Sequence, residues 1–162
     1  MKEAFEKFSE SEEFKEFNKN EEGFIFVHAS MIKELGKKSS WEFGFFHQER
    51  DRMVIFETDP IKRLPEQEVF KKGPSINPLN LENVSISFEE AMKIVEDVRQ
   101  EKYKTDPVSK YIIILQNLHK QVWNVTLITT SFNIINIKID SATGEVISTN
   151  KHSIMDLGVR KF

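Results

Sequence analysis

Cysteine is absent from the 162 residues, which excludes a disulfide framework, a cysteine nucleophile, thiolate-bound zinc and iron–sulfur clusters. No single sign of charge dominates: 26 acidic against 23 basic side chains leave a net charge of −3, so nothing advertises a nucleic-acid partner. Long hydrophobic runs are missing. The longest, Tyr111 to Leu115, is far too short for a membrane span. The opening Met1-Lys2-Glu3-Ala4-Phe5-Glu6-Lys7 lacks the apolar core of a signal peptide, so the expectation is a soluble, cytoplasmic chain with no membrane partner. Tryptophan and tyrosine are scarce at 2 each, while phenylalanine reaches 14. Many of the apolar residues are β-branched or aromatic, which suits pleated, half-buried surfaces. The length fits one ordinary domain or two small ones.

Catalytic signatures are also missing. There is no Gly-rich phosphate loop, no Gly-x-Ser-x-Gly and no His-Glu-x-x-His. No catalytic, cofactor-binding or metal-ligating residue is assigned, and no cofactor is expected. The strongest polar constellation is His47-Gln48-Glu49-Arg50-Asp51, where His47, Glu49 and Asp51 would share a strand face. Arg50 and Arg52 among them make a charged hairpin tip the favoured reading. His28 sits in the apolar run Phe24–Val27 and reads as a partly buried structural histidine. His119 falls in a turn and His152 in a polar tail. Lys71-Lys72 and Arg160-Lys161 read as solvated basic pairs, and the Asn83 and Asn124 sequons read as chance.

Lys2 to Asn18 is rich in Glu, Lys and Phe and reads as helical. At 100° per residue, Phe5 and Phe8 lie together while Phe14 and Phe17 fall on the opposite side, so a break is expected near residues 9–11. Ser9-Glu10-Ser11-Glu12 has the spacing of a capping box. Strands are expected over Phe24–Ala29, Trp41–His47 and Met53–Thr58, the last two forming a hairpin across Gln48–Arg52. The face Trp41, Phe43, Phe45, His47 and the face Glu42, Gly44, Phe46, Gln48 both carry aromatics. A core on two sides is the plainer reading, an exposed aromatic groove the sharper one. Residues 59–86 are punctuated by Asp59-Pro60, Leu64-Pro65, Gly73-Pro74 and Asn77-Pro78 and read as an irregular connector, with a helical turn over Pro65–Phe70.

Ser87-Phe88-Glu89-Glu90 is a capping box, followed by Ala91, Ile94, Val95 and Val98 on one helix face and a stop at Asp106-Pro107. Lys110–Leu115, Val122–Thr129 and Ile134–Ile139 read as strands. Asp140-Ser141-Ala142-Thr143-Gly144-Glu145 reads as a turn before the returning Val146-Ile147-Ser148.

The two halves can be laid over each other. Ala4 matches Ala91, 20 residues lead to Phe24 and to Tyr111, and each half then reaches its one tryptophan, Trp41 or Trp123. The offset drifts from 87 to 82 to 81, so the loop Ser30–Ser40 is about five residues longer in the first copy. The expectation is an α+β fold of two repeated units, residues 1–60 and 84–162, joined by a connector over 61–83. Each unit is a helix packed on an antiparallel sheet.

Ile86-Ser87-Phe88-Glu89-Glu90-Ala91, Trp123-Asn124-Val125 and Ile139 through Ile147 together resemble a PepSY domain, the family of peptidase propeptides and YpeB-like proteins. The second half carries the likeness well; residues 1–60 carry it faintly, with Asp59-Pro60 where a Thr-Gly-Glu hairpin should stand. The resemblance implies a cystatin-like helix on an antiparallel sheet. It also implies a non-enzymatic module that binds a protein or peptide, with restraint of a protease as one form of that role. Two other readings stand beside it: a small-molecule binder or enzyme with a pocket between sheet and helix, and a subunit that forms a homodimer through sheet faces or edges.

Overall fold

An unbroken helix over Lys2–Asn18 would aim two of its four phenylalanines away from any one surface. In the computed structural model, which describes residues 1–69 and 75–155, the chain breaks to avoid this. Helix α1 (Lys2–Ser9) ends at Glu10, and Ser11, with extended backbone at φ −69° and ψ 152°, opens α2 (Glu12–Asn20). The cap is Ser11, whose Oγ accepts a hydrogen bond from the Phe14 amide at 3.2 Å. Ser9, expected to open the capping box, instead donates its hydroxyl to the Glu6 carbonyl. The break turns all four rings onto one surface. Phe8 lies 5.3 Å from Phe43 and 5.1 Å from Phe56, and Phe17 lies 5.4 Å from Phe45 and 5.2 Å from Phe56.

That surface belongs to an antiparallel sheet. Its first half contains β1 (Phe24–Glu34), β2 (Glu42–His47), β3 (Arg52–Thr58), β4 (Ile61–Arg63) and β5 (Gln67–Glu68). A 3-10 turn at Leu81–Asn83 and helix α3 (Phe88–Lys102) follow. The second half contains β6 (Val108–Asn117), β7 (Gln121–Thr129), β8 (Asn133–Asp140) and β9 (Val146–Ser153). The strand order is β4-β3-β2-β1-β6-β7-β8-β9, with β5 beside β3. Each half is therefore a helical segment followed by an antiparallel meander, and the meanders meet along β1 and β6. The seam runs from His28 opposite Gln116 to Glu34 opposite Lys110. The fold class is α+β, as the sequence predicts.

All three helices cover one face. Phe43, Ala29, Leu115 and Trp123 are successive partners across four strands and lie under the helices. Ala91, Val95 and Val98 of α3 are buried against the second half of that layer, where Ile113, Val125, Leu127, Ile135, Ile137 and Ile139 are fully enclosed. Burying each such side chain stabilises the fold by about 1.5–3 kcal/mol. The capping box that opens α3 is formed in both directions: Ser87 Oγ accepts from the Glu90 amide, and the Glu90 carboxylate accepts from the Ser87 amide. At the middle of the layer Phe88 stands 5.2 Å from Trp41 and 6.1 Å from Trp123, and the two indoles are 6.3 Å apart.

The stretch after Thr58 is more ordered than its prolines imply. Asp59-Pro60, a cis peptide, forms the turn from β3 into β4. The helical turn expected over Pro65–Phe70 does not form in its described part, because Gln67 and Glu68 pair with Met53 and Arg52. The Arg52 guanidinium holds the Glu68 carboxylate at 3.0 Å, an attraction available only in the extended pairing. Phe70 and the Gly73-Pro74 step lie outside the described residues. From Ser75 the connector runs beside His28 and Met53 on the face away from the helices. It then reaches the helix side, where Leu79 and Val84 are buried. It is pinned on the way: the Leu79 amide donates to the Phe26 carbonyl, and Gln121 clasps the Asn80 backbone at both N–H and C=O.

Candidate functional site

The histidines singled out from the sequence have structural surroundings. In the register of β1 and β2, His28 stands opposite Gly44 on the face away from the helices. A β-carbon on residue 44 would lie 2.0 Å from His28 Cε1, so the imidazole occupies the space that any other side chain would need. Burial pushes the His28 pKa down, favouring the neutral ring. A small cleft of about 170 Å³ beside it is lined by Met53, Ser75, Asn77 and Gln116 among others. His47 ends β2, is buried, and accepts a 3.3 Å hydrogen bond at Nδ1 from the Arg50 amide. Glu49 and Asp51 form the turn after it, and Asp51 takes φ +51°. Among the described residues no group of three or more His, Asp or Glu is placed to hold a metal ion. His119 occupies the β6–β7 turn at φ +72°, and His152 is exposed on β9. Lys71-Lys72 and Arg160-Lys161 lie outside the described residues.

The aromatic strand is core on both sides. Phe43 and Phe45 are buried under the helices and Phe46 is buried on the opposite face, so no exposed aromatic groove forms there. The space between α1–α2 and the first half of the sheet is filled by close ring contacts, such as Phe5 on Phe26 at 4.6 Å and Phe8 on Phe14 at 4.9 Å. On the outer face Glu42 and Glu57 are direct cross-strand partners. Burial, reinforced by the Glu57 charge, raises the Glu42 pKa.

Asp140 and Asp106, both buried, serve the fold. Asp140 accepts from the Ala142 and Thr143 amides and pairs with Lys120, shaping the turn before β9. Those bonds, the Ala142 amide first, hold its pKa down. Asp106 accepts from Lys151 at 2.5 Å and from Ser131 and Asn133, tying β9 and the β7–β8 turn to the chain that leaves α3.

The feature that sequence reasoning missed is the turn between β1 and β2. The sequence predicts a strand over Phe24–Ala29; β1 continues to Glu34 because Ser30–Glu34 zip onto β6. The extra length of the Ser30–Ser40 stretch is thus partly strand, and it carries a turn beyond the seam. The Lys37 amide donates to the Glu34 carbonyl at 3.1 Å, and Gly36 takes φ +76°, the left-handed geometry a type II turn requires at that position. The lysines around the turn are engaged. Lys37 and Lys110 pair with Glu34 at 2.9 and 3.6 Å, Lys38 pairs with Asp59 at 2.8 Å, and Lys33 stands 5.8 Å over the Phe88 ring. The Lys37 hydrogen bond, with Lys110 behind it, lowers the Glu34 pKa, and Lys38 lowers that of Asp59. What the turn offers outward is Leu35, 96% exposed. Beside it lies a hollow of about 340 Å³ lined by Lys33, Leu35, Val108, Ser109 and Tyr111. An apolar anchor on a braced turn next to a hollow is suited to insertion into a partner's surface, because little loop ordering remains to oppose binding. The signal in the sequence was slight: a Leu-Gly step inside a lysine-rich stretch.

Residues 85–150 match the sequence model of the family described as "Peptidase propeptide and YPEB domain", PepSY. No curated protein matches the chain. Among solved structures, the chain is similar to a protein of Clostridium difficile 630 described as a "putative lipoprotein", with a TM-score of 0.54 and 16% identity. The match covers 86% of this chain and 90% of that one. At that identity the likeness concerns the fold. No helix among the described residues is long and apolar enough to cross a membrane. The second half of this chain is thus similar to PepSY domains, and the α+β architecture as a whole has a counterpart in a solved structure.

Proposed function

We propose that this chain is a non-enzymatic module that docks on a partner protein through the β1–β2 turn, with Leu35 as the anchor, and that the partner is a peptidase. The observation that carries the reading is a leucine 96% exposed on a turn whose neighbouring charges are already tied to one another. A solvated apolar anchor on a pre-organised loop gains most from entering a partner's pocket. The match of residues 85–150 to a family described by peptidase propeptides supports the choice of partner class.

The test uses a thermolysin-like metallopeptidase as probe. The intact chain is expected to slow hydrolysis of a small peptide substrate in proportion to its concentration while remaining uncleaved. Leu35→Asp should weaken that effect at least tenfold, and Glu13→Ala, an exposed change on α2, should leave it alone. Inhibition indifferent to Leu35→Asp removes the anchor, and degradation without inhibition removes the peptidase partner.

We also infer that the chain is a doubled unit, residues 1–60 and 84–162 joined by 61–83. The shared order of helix and meander, and the adjacency of Trp41 and Trp123 in one cluster, support this. Poor Cα superposition of the two halves in a crystal structure would remove it.

A further inference from the structure

The two edges of the sheet are protected unequally. At one edge β4 has only three residues, carries Lys62 and Arg63, and is flanked by Pro60 and Pro65, devices that discourage another strand from pairing. At the other, β9 has eight residues with no proline and no acidic side chain. Its one lysine, Lys151, is drawn aside to Asp106. Among the described residues nothing pairs with the outer side of β9. Ile147 is the extra residue of a bulge between its neighbours' pairings with Ile139 and Lys138, so the regular stretch facing outward is Ser148–Ser153.

We infer that this edge takes a second copy of the chain, β9 against β9, antiparallel about a twofold axis at Asn150. Three observations select that occupant and register. First, opposed residues must share a face, so each twofold register centres on one residue. Centring on Lys151 sets lysine against lysine, whereas centring on Asn150 sets Lys151 against Thr149 and His152 against Ser148. Second, Asn150 ends a polar row on the outer face: it is the partner of Asn136, which donates to Asn124 at 2.7 Å and to Thr126 at 3.0 Å. A carboxamide carries both donor and acceptor, so it complements itself across a dyad. Third, the register sets Ser153 of one copy opposite Ile147 of the other, so the apolar residues at each end of the pairing are Ile147 and, one step along the chain from Ser153, Ile154. These residues are 45% and 37% exposed, with the 63% exposed Phe132 joined to Ile154 by a backbone hydrogen bond. The association repeats what the chain does internally, where β1 and β6 join two meanders antiparallel with all helices on one face. It leaves the Leu35 turn outside the pairing and does not depend on its role.

Sedimentation of the full-length chain across micromolar to millimolar concentration tests this. The expected species approaches twice the chain mass of 19.0 kDa, and outward-facing amides of residues 148–152 exchange more slowly as concentration rises. Asn150→Lys and Asn150→Glu, each folded by circular dichroism, should raise the dimer Kd at least tenfold alone by placing like charges on the axis. An equimolar mixture should restore association. A wild-type chain that stays monomeric at millimolar concentration overturns the inference, as does a dimer indifferent to both substitutions.

Discussion

Gly44 is the residue on which the outer layer of the first meander turns. Its missing side chain lets the His28 ring lie on the strand, with the would-be β-carbon 2.0 Å from Cε1 and 2.4 Å from Nδ1. Gly44→Ala should therefore destabilise the fold by about 1–3 kcal/mol, the range for overpacking a filled site. Adding His28→Ala should recover most of that loss, because the ring that blocks the methyl group is gone. Urea unfolding of the four proteins in a double-mutant cycle measures it, and a double variant no more stable than Gly44→Ala alone would refute the contact. A glycine amid aromatics signals a close approach in the sequence. Which residue makes it follows only from the register of β1 against β2, shifted by the irregularity between Phe26 and His28.

Among elements, β9 depends on a side-chain tether as well as on its ladder to β8. Lys151 reaches Asp106 beyond the end of α3, and the Tyr103 hydroxyl meets that of Thr149 at 2.7 Å. The Lys151 hydrogen bond is the first cause of the lowered Asp106 pKa, with Asn133 and Ser131 adding to it. A carboxyl whose folded pKa lies below its unfolded value stabilises the fold above the ordinary 3.8, and the contribution fades as pH falls through the folded value. Asp106→Asn should therefore cost about 1–2 kcal/mol at neutral pH. The gap to wild type should close in strong acid, as read by denaturation at a series of pH values; a gap unchanged by pH would show that the charge is not involved. The sequence marks Asp106-Pro107 as a helix stop but is silent on the tether, whose partner is 45 positions away. Elements with local causes are legible: the α1–α2 break follows from phenylalanine phase, and the α3 cap from Ser87 and Glu90. The β5 pairing is not, because it depends on Arg52 from another strand.

At the scale of the molecule, the two meanders share one sheet and one apolar cluster. Trp41 from the first half and Trp123 from the second meet Phe88 at the centre, and Trp123 Nε1 donates to the Ile86 carbonyl at 3.0 Å. The Lys2 ammonium spans the halves to the Val84 carbonyl at 2.7 Å. A chain sewn together in this way should unfold in one cooperative transition. In scanning calorimetry the van't Hoff and calorimetric enthalpies should agree, and two separated transitions would mean that the seam between β1 and β6 does not couple the halves.

By itself the sequence determined the α+β class, the broken first helix, the capped α3, the alternating strands of the second half and the Asp140–Glu145 turn. Each is governed by contacts within a few residues or by periodicity along one segment. Tertiary structure decided that the meanders join through β1 and β6, that the connector passes from one face to the other, and that no described residue pairs with the outer side of β9. It also decided that Leu35 projects from a turn whose charges are satisfied by Lys110 and Asp59 from other segments. These depend on pairings between residues far apart in the chain, and a hydrophobic pattern states which face of a strand is buried without naming its neighbour.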